Sequence, residues 1–519
     1  MPIYNGYFYC FFVFTMLAGN AFALPGPEDL NPKTKSIACF YYDPHEKDFG
    51  QRYIFSLKNQ AYVWAKDEKG YNIYVDGRKE DGFFVIDRVY SKSFFGKKTE
   101  LENSQNRVEK YCAKTIADFG NNAGFIRKKR DLRLHEVIVK QHFFAEKWSP
   151  VFKDRNSSAL PSRIVLFGDS LSDEGNLLER FRTALPVGIP SPPYFLGRFS
   201  NGPVWSDYVR VSADFALRNW AFGGAQVVKA PNSLDDIFGT VISTGRAHVT
   251  GTLGKYVKQY IGEDLKATSH IAAPEKTVFV IWMGANDFLG KWDIPGGPDV
   301  LIDQPDAAEG SNSVSARAAK EIGAQIEVLH AHGARQFLLI NLPNLGITPF
   351  AKHDKKYHAR TPKSPQKTYD LSTKLTAIIR KFNAQLKETA ADLRSRMPDL
   401  RLAEFDVFDE MEKLIANAST PEGEQSIGLS PNVFAESFEI PGNVPVKIYD
   451  QCFSAGYLGK GSVADFCTNI SKSFFFDDVH PTSRAHCWIA YIIHSGLYKS
   501  KLTDVEPSLT DYSTRCQGG

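Results

Sequence analysis

Beyond its first segment the sequence has no apolar run approaching the roughly 20 residues that a membrane-spanning helix needs, which excludes a helical integral membrane protein. Charge of neither sign dominates: 62 Lys and Arg stand against 59 Asp and Glu, for a formal net +3, so the balance gives no basis for a nucleic-acid partner. The one local excess, Arg127-Lys128-Lys129-Arg130, reads as a solvated linker, with contact to a membrane surface as the lesser alternative. No CxxC pair and no Cys/His cluster is present, so a zinc site is not expected. Internal repeats and low-complexity tracts are also absent, which excludes solenoid and fibrous architectures.

No Lys or Arg precedes the first apolar run, Tyr7 to Ala18, so only the amino terminus supplies positive charge there. The run is nevertheless short and is followed by Ala21-Phe22-Ala23, a small-x-small pattern, so residues 1–23 read as a secretory signal peptide. Cysteine usage agrees with export. Of 7 cysteines, Cys10 lies in that segment, leaving Cys39, Cys112, Cys452, Cys467, Cys487 and Cys516 for an oxidising compartment. Many connectivities are open to them; pairing neighbours in order is the expectation.

The 519 residues are 43% hydrophobic and 23% charged, ordinary globular usage with room for two or three domains. From about Ser36 to Phe125 aromatic and polar positions alternate, as in "YNIYVDGRKEDGFFVIDRVY", with turn signals between runs, which predicts a β-rich module. A helical patch in "ENSQNRVEKYCAKTIADFG" closes it, and a charged stretch from Ile126 to Ser162 leads into the next region. The domains expected are a β-rich N-terminal domain with linker over 24–150 and a larger domain over 160–519, divided near Asn156-Ser157-Ser158.

From Arg163 onward apolar runs alternate with amphipathic patterns. "IVLF" (164–167), "TVFVIW" (277–282), "QFLLIN" (336–341) and "LRLAEFDVF" (400–408) read as strands. One helix is expected around Ile322, Ile326 and Leu329, stopped by Gly333, and another with Leu371, Leu375, Ile378, Phe382 and Leu386 on one face. Strand, helix, strand, helix implies a parallel sheet, whose functional residues belong just after the strand ends.

Polar residues stand at those ends. "IVLF" runs into Gly168-Asp169-Ser170-Leu171, which puts a serine at a strand's carboxyl edge, where it is a nucleophile or an N-cap. After "TVFVIW" comes Gly284-Ala285-Asn286-Asp287, with an amide able to donate to a developing oxyanion. "NWAFGGA" supplies Gly223 and Gly224, whose backbone can approach a substrate closely. In "FFFDDVHPT", Asp477 stands three residues before His480, so on a tight turn its carboxylate reaches the imidazole and fixes its tautomer. Any one of these is a common turn or surface pair. Together they supply nucleophile, base and orienting acid.

In that order the four motifs resemble the GDSL or SGNH hydrolase family. The resemblance implies a three-layer α/β/α domain with a central parallel sheet, preceded here by the small β-rich domain. Carried onto this sequence, it implies Ser170 as nucleophile, His480 as base and Asp477 as orienting acid, with Asp478 as fallback. The oxyanion donors would be the N–H groups of Ser170 and Gly224 and the side chain of Asn286, with Gly223 the rival to Gly224. Asp169, Gly223 and Asp287 would support the turns beneath. "GRFSNGPVW" (197–205) and "INLPNLGITP" (340–349) are similar to segments of the secreted bacterial branch that includes glycerophospholipid:cholesterol acyltransferases and thermolabile hemolysins. Asn344 stands where that branch leads one to expect an aspartate, and nothing catalytic depends on it.

What the resemblance implies is a secreted, extracellular bacterial esterase of the phospholipase A or lysophospholipase kind. Its partners would be a phospholipid or lysophospholipid substrate, a cholesterol acceptor and, transiently, a membrane surface. No metal, cofactor or nucleic acid is required. The segment between Cys452 and Cys467, close before Asp477, reads equally as a plain staple or as a lid opened by an activating protease. Two alternatives are a carbohydrate or short-chain esterase on the same fold, and a membrane-binding protein whose N-terminal module is the functional part.

Overall fold

Apolar runs in the N-terminal region are short, and each is cut by a turn signal. The computed structural model accordingly builds that region as a sheet of short strands. It describes residues 34–42, 62–122, 132–141, 146–154, 160–184, 189–191, 193–228, 251–265, 269–289, 313–352, 371–429, 438–440, 444–446, 451–453, 467 and 470–517. The signal segment 1–23, the basic run 127–130 and the segment 454–466 lie outside the described residues. Described residues up to 154 form one compact unit, and those from 160 onward form another.

In the first unit, β1 (Thr34–Tyr42), β2 (Tyr62–Trp64), β3 (Ile73–Glu80), β4 (Phe83–Lys92) and β5 (Lys98–Leu101) are followed by helix α1 (Gln105–Asn122). The charged stretch that leads into the next region also contributes to the sheet. It contributes β6 (Arg133–Lys140), which pairs antiparallel with β1 from Ser36 to Tyr42, and β7 (Ser149–Val151), parallel to β4. Val137, Val139, Trp148 and Phe152 within that charged background supply the apolar side chains that pack into the unit's core. Helix α1 covers the sheet with Val108, Cys112 and Ile116, spaced by one helical turn, and the Cys39–Cys112 disulfide ties it to β1.

The second unit carries β8 (Arg163–Gly168), α2 (Asn176–Ala184), α3 (Trp205–Ser212), β9 (Ala216–Ala221), α4 (Leu253–Glu263), β10 (Thr277–Trp282) and α5 (Ala285–Leu289). These are followed by α6 (Val314–Ala331), β11 (Gln336–Ile340), α7 (Leu371–Arg396), β12 (Arg401–Phe405), α8 (Val407–Ala418), α9 (Ser483–Lys499) and α10 (Leu509–Gln517). The sheet runs β12-β11-β10-β8-β9, every neighbour parallel. Strands β8, β10 and β11 are buried along their whole length, as strands covered on both faces must be.

Alternation of side chains gives the layers. Ile164, Leu166, Val280 and Leu338 face one way and pack with Trp205 of α3, Met411 of α8 and Trp488 of α9. Phe167, Phe279 and Phe337 face the other way, where Tyr260 of α4 meets the first two edge to face. Helix α6 packs against both α4 and α7 on that side. This is the expected α/β/α arrangement, and the disulfides Cys452–Cys467 and Cys487–Cys516 follow the sequential pairing.

Three local readings differ from the structure. Strand β9 was not expected, because Arg218 and Asn219 interrupt its apolar residues; an edge strand tolerates them, and Asp264 accepts from both Arg218 and Trp220. The run "LRLAEFDVF" stops being a strand at Phe405, where the Asp406 carboxylate accepts the Asp409 N–H and caps α8. On α7 the buried line is Leu375, Ile379, Phe382 and Leu386, so Ile379 rather than Ile378 faces the core.

Ile379→Ala should therefore lower the stability of the second unit by about 2–5 kcal/mol, and Ile378→Ala by under about 1 kcal/mol. Urea unfolding of the two variants checks this; equal losses would contradict the observed helix register.

Candidate active site

Gly168 ends β8 in register with Ala221 of β9 on one side and Trp282 of β10 on the other. The turns that follow these strands, Asp169–Ser172, Phe222–Ala225 and Met283–Asn286, therefore lie side by side at the carboxyl edge of the sheet. Gly168 admits no side chain there: a Cβ would come within 2.9 Å of Ser172 and 3.1 Å of Ala221. Gly224 sits at φ +77°, the left-handed region that glycine occupies freely.

A fourth segment closes over these turns. The His480 carbonyl accepts the Phe476 N–H at 2.7 Å, and Thr482 caps α9 two residues later. His480 is thus held between a tight turn and a helix start. Its Nε2 lies 2.8 Å from Ser170 Oγ, and its Nδ1 lies 2.9 and 2.7 Å from the two Asp477 oxygens. All three residues are buried. The carboxylate that reaches His480 is that of Asp477; the neighbouring Asp478 instead offers its carbonyl to the Phe350 N–H.

Asp477 also accepts the backbone N–H groups of Val479 and His480 at 2.9 and 2.7 Å, and the hydroxyl of Tyr194 at 2.8 Å. Burial alone would raise its pKa. The His480 charge and hydrogen bond, with those N–H donors, outweigh burial and hold Asp477 below the usual carboxylate range. Burial alone would lower His480; the charge and hydrogen bond of Asp477 outweigh it and hold the imidazole above its ordinary value. Such a pair keeps the proton on Nδ1 and leaves Nε2 facing the serine hydroxyl.

Three further buried carboxylates fix the turns. Asp169 accepts N–H groups of Leu171, Gly284 and Ala285, joining the turn after β8 to the turn after β10. Asp287 accepts from Val227 and Val228 at 2.7 and 2.9 Å. Asp173 accepts from Gly175, Asn176 and Leu177 at the start of α2 and from Gly223 at 2.8 Å. Burial pushes Asp169 and Asp173 up to about 6 and Asp287 up to about 7.

The Gly223 N–H is thereby occupied, whereas among the described residues the N–H groups of Ser170 and Gly224 meet no acceptor. Asn286 stands beside them: its Nδ2 donates to the Ala225 carbonyl at 2.9 Å, and Gln226 donates to the Asn286 carbonyl at 3.2 Å. The structure thus gathers Ser170, Gly224, Asn286, Asp477 and His480 at one place. Asp169, Gly223 and Asp287 take part in the hydrogen bonds that fix the surrounding turns.

The family model described as GDSL-like Lipase/Acylhydrolase matches residues 164–493, more than half of the chain. The chain belongs to that family. Among its relatives, a phosphatidylcholine-sterol acyltransferase of Aeromonas hydrophila is 27% identical over 358 residues, 66% of this chain and 90% of that protein. A thermolabile hemolysin of Vibrio parahaemolyticus is 25% identical over 462 residues, 88% of this chain and 85% of that protein. A GDSL esterase/lipase of Arabidopsis thaliana is 26% identical, covering 68% of this chain and 92% of its own length.

Within this GDSL-family site, sequence reasoning missed the supports of His480. Segment 198–201 reaches it from far upstream. Arg198 forms a buried two-pronged ion pair with Asp207 at 2.7 and 2.8 Å, Ser200 donates to the Pro481 carbonyl, and Asn201 accepts the Ser483 N–H. The Phe199 ring lies 5.0 Å from the imidazole, centroid to centroid, and also occupies the space a side chain at Gly223 would need. "GRFSN" therefore has a physical role in this fold. Tyr194, buried among Phe199, Phe453 and Phe476, carried no sequence signal: it lies 283 positions before the carboxylate it donates to.

Removing the Tyr194 hydroxyl leaves Asp477 a stronger acceptor for the imidazolium. In Tyr194→Phe, His480 followed by NMR of labelled histidine should titrate at higher pH than in the parent chain. An unmoved titration would mean that the hydroxyl only fills space.

Proposed function

We propose that this chain is an exported serine esterase that cleaves acyl esters of phospholipids or lysophospholipids through a covalent acyl-enzyme on Ser170. The observation that carries the reading is the 2.8 Å hydrogen bond from Ser170 Oγ to an imidazole whose other nitrogen is bound by a buried carboxylate. Export is supported by three disulfides, which belong to oxidising compartments. The lipid class is supported by the two bacterial relatives together.

In the first step His480 Nε2 takes the hydroxyl proton as Ser170 Oγ bonds to the ester carbonyl carbon. The resulting oxyanion is received by the Ser170 and Gly224 N–H groups and the Asn286 amide, and Asp477 offsets the imidazolium charge. His480 returns the proton to the departing alcohol, leaving the acyl chain on Ser170. Water activated by His480 then releases a fatty acid. A sterol hydroxyl in place of that water yields a sterol ester from the same intermediate, so hydrolysis and transfer differ in the acceptor alone.

Protonated His480 cannot accept the serine proton, and its pKa is raised. Hence kcat/KM on a soluble ester should rise with pH through an inflection above the ordinary histidine value of about 6.5. Asn286→Ala should lower kcat by roughly 10²-fold or more, and Ser170→Ala should abolish turnover. The deciding experiment incubates the purified chain with phosphatidylcholine–cholesterol vesicles and analyses the extracted lipids. Fatty acid released by the parent chain and not by Ser170→Ala supports the esterase, and cholesteryl ester in addition supports transfer. Deacetylation of sugar esters with vesicles left intact would replace the lipid reading.

A further inference from the structure

Among the described residues, Phe94 and Phe95 are 93% and 94% exposed, while the next large apolar side chain, Leu509, is 52% exposed. The two rings occupy the tip of the β4–β5 hairpin in the first unit. The tip is a built turn rather than a frayed end. Ser93 N–H donates to the Lys97 carbonyl at 3.0 Å, Gly96 N–H to the Ser93 carbonyl at 2.9 Å, and Lys97 N–H to Ser93 Oγ at 3.1 Å. Gly96 at φ +79° makes the reversal, and the rings stand edge to face, 5.6 Å apart. The backbone thus holds both side chains outward, although burying them would be favourable.

The surroundings name the partner. Lys92 and Lys98 are directly paired across the hairpin, a placement of like charges that works against the ladder, and Lys97 adjoins them. Residues 91–99, SKSFFGKKT, contain no acid; the next one, Glu100, is already paired with Arg88. Two apolar rings collared by three cations match a bilayer surface with anionic headgroups, where the rings enter the acyl boundary while lysine ammoniums stay with the phosphates.

We propose that the Phe94–Phe95 tip is a docking element that inserts into anionic phospholipid bilayers. It does not depend on the Ser170 chemistry, and it gives the β-rich unit a function of its own.

The test uses the full chain carrying Ser170→Ala, so that vesicles stay intact, sedimented with vesicles of phosphatidylcholine alone or mixed with phosphatidylglycerol. The parent is expected to partition onto the mixed vesicles. Phe94→Ser with Phe95→Ser should weaken partitioning at least ~10-fold, and Lys97→Glu with Lys98→Glu should remove the preference for the anionic mixture, also by roughly 10-fold or more. Unchanged thermal melting of both variants would show that the fold is kept. As a second readout, Phe95→Trp should gain blue-shifted emission, quenched by bromine-labelled acyl chains. Undiminished partitioning of the Phe variant would overturn the proposal, as would a parent that ignores both vesicles. So would a tip that only joins two copies, revealed by a dimer that the Phe variant dissociates without change in vesicle binding. A chain that binds vesicles while wild-type Ser170 releases no acyl group would leave docking intact and end the lipid-esterase reading.

Discussion

A carboxylate removed from water persists only where donors meet it, and the carboxyl edge of the parallel sheet is organised by that requirement. Asp169, Asp173, Asp287 and Asp477 are all buried, and each collects backbone N–H groups from turns that would otherwise have no fixed relation. Asp169 joins the turns after β8 and β10, Asp173 joins the start of α2 to the glycine turn, and Asp477 closes the loop that carries His480. The position of Ser170 relative to Gly224 and Asn286 is therefore set by satisfied charges rather than by loop packing alone. The same bonds engage the Gly223 N–H, whereas among the described residues those of Ser170 and Gly224 meet no acceptor.

Legibility in the sequence followed the range of the interactions. Strands β8, β10 and β11 could be read because burial on both faces demands uninterrupted apolar runs. Strand β9 could not, since its edge position accepts Arg218 and Asn219 in mid-strand. The choice between Ile378 and Ile379 turned on a rotation of one residue that periodicity resolves poorly when both are isoleucine. Strands β6 and β7 could not be read either, since charge over 126–162 masked the few apolar residues that suffice for them.

At the site, the local partners were legible and the distant ones were not. Asp477 and His480 are three residues apart, and a tight turn is enough to join them. Tyr194, Arg198 and Phe199 act on that turn from far upstream, and only the folded chain reveals it. Asp173 likewise combines both ranges: its carboxylate accepts N–H groups at the start of α2, close in sequence, and also that of Gly223, 50 positions on.

The separation of 310 positions between Ser170 and His480 has a consequence for biosynthesis. A nascent chain presents the serine, the glycine turn and Asn286 long before the imidazole is made. Strand β8 and its neighbours can pair while the final helices are still inside the ribosome, yet the imidazole that meets Ser170 Oγ has not been made. The site assembles as one of the last events of synthesis, so the cell that makes the protein meets an inert precursor for nearly the whole of translation.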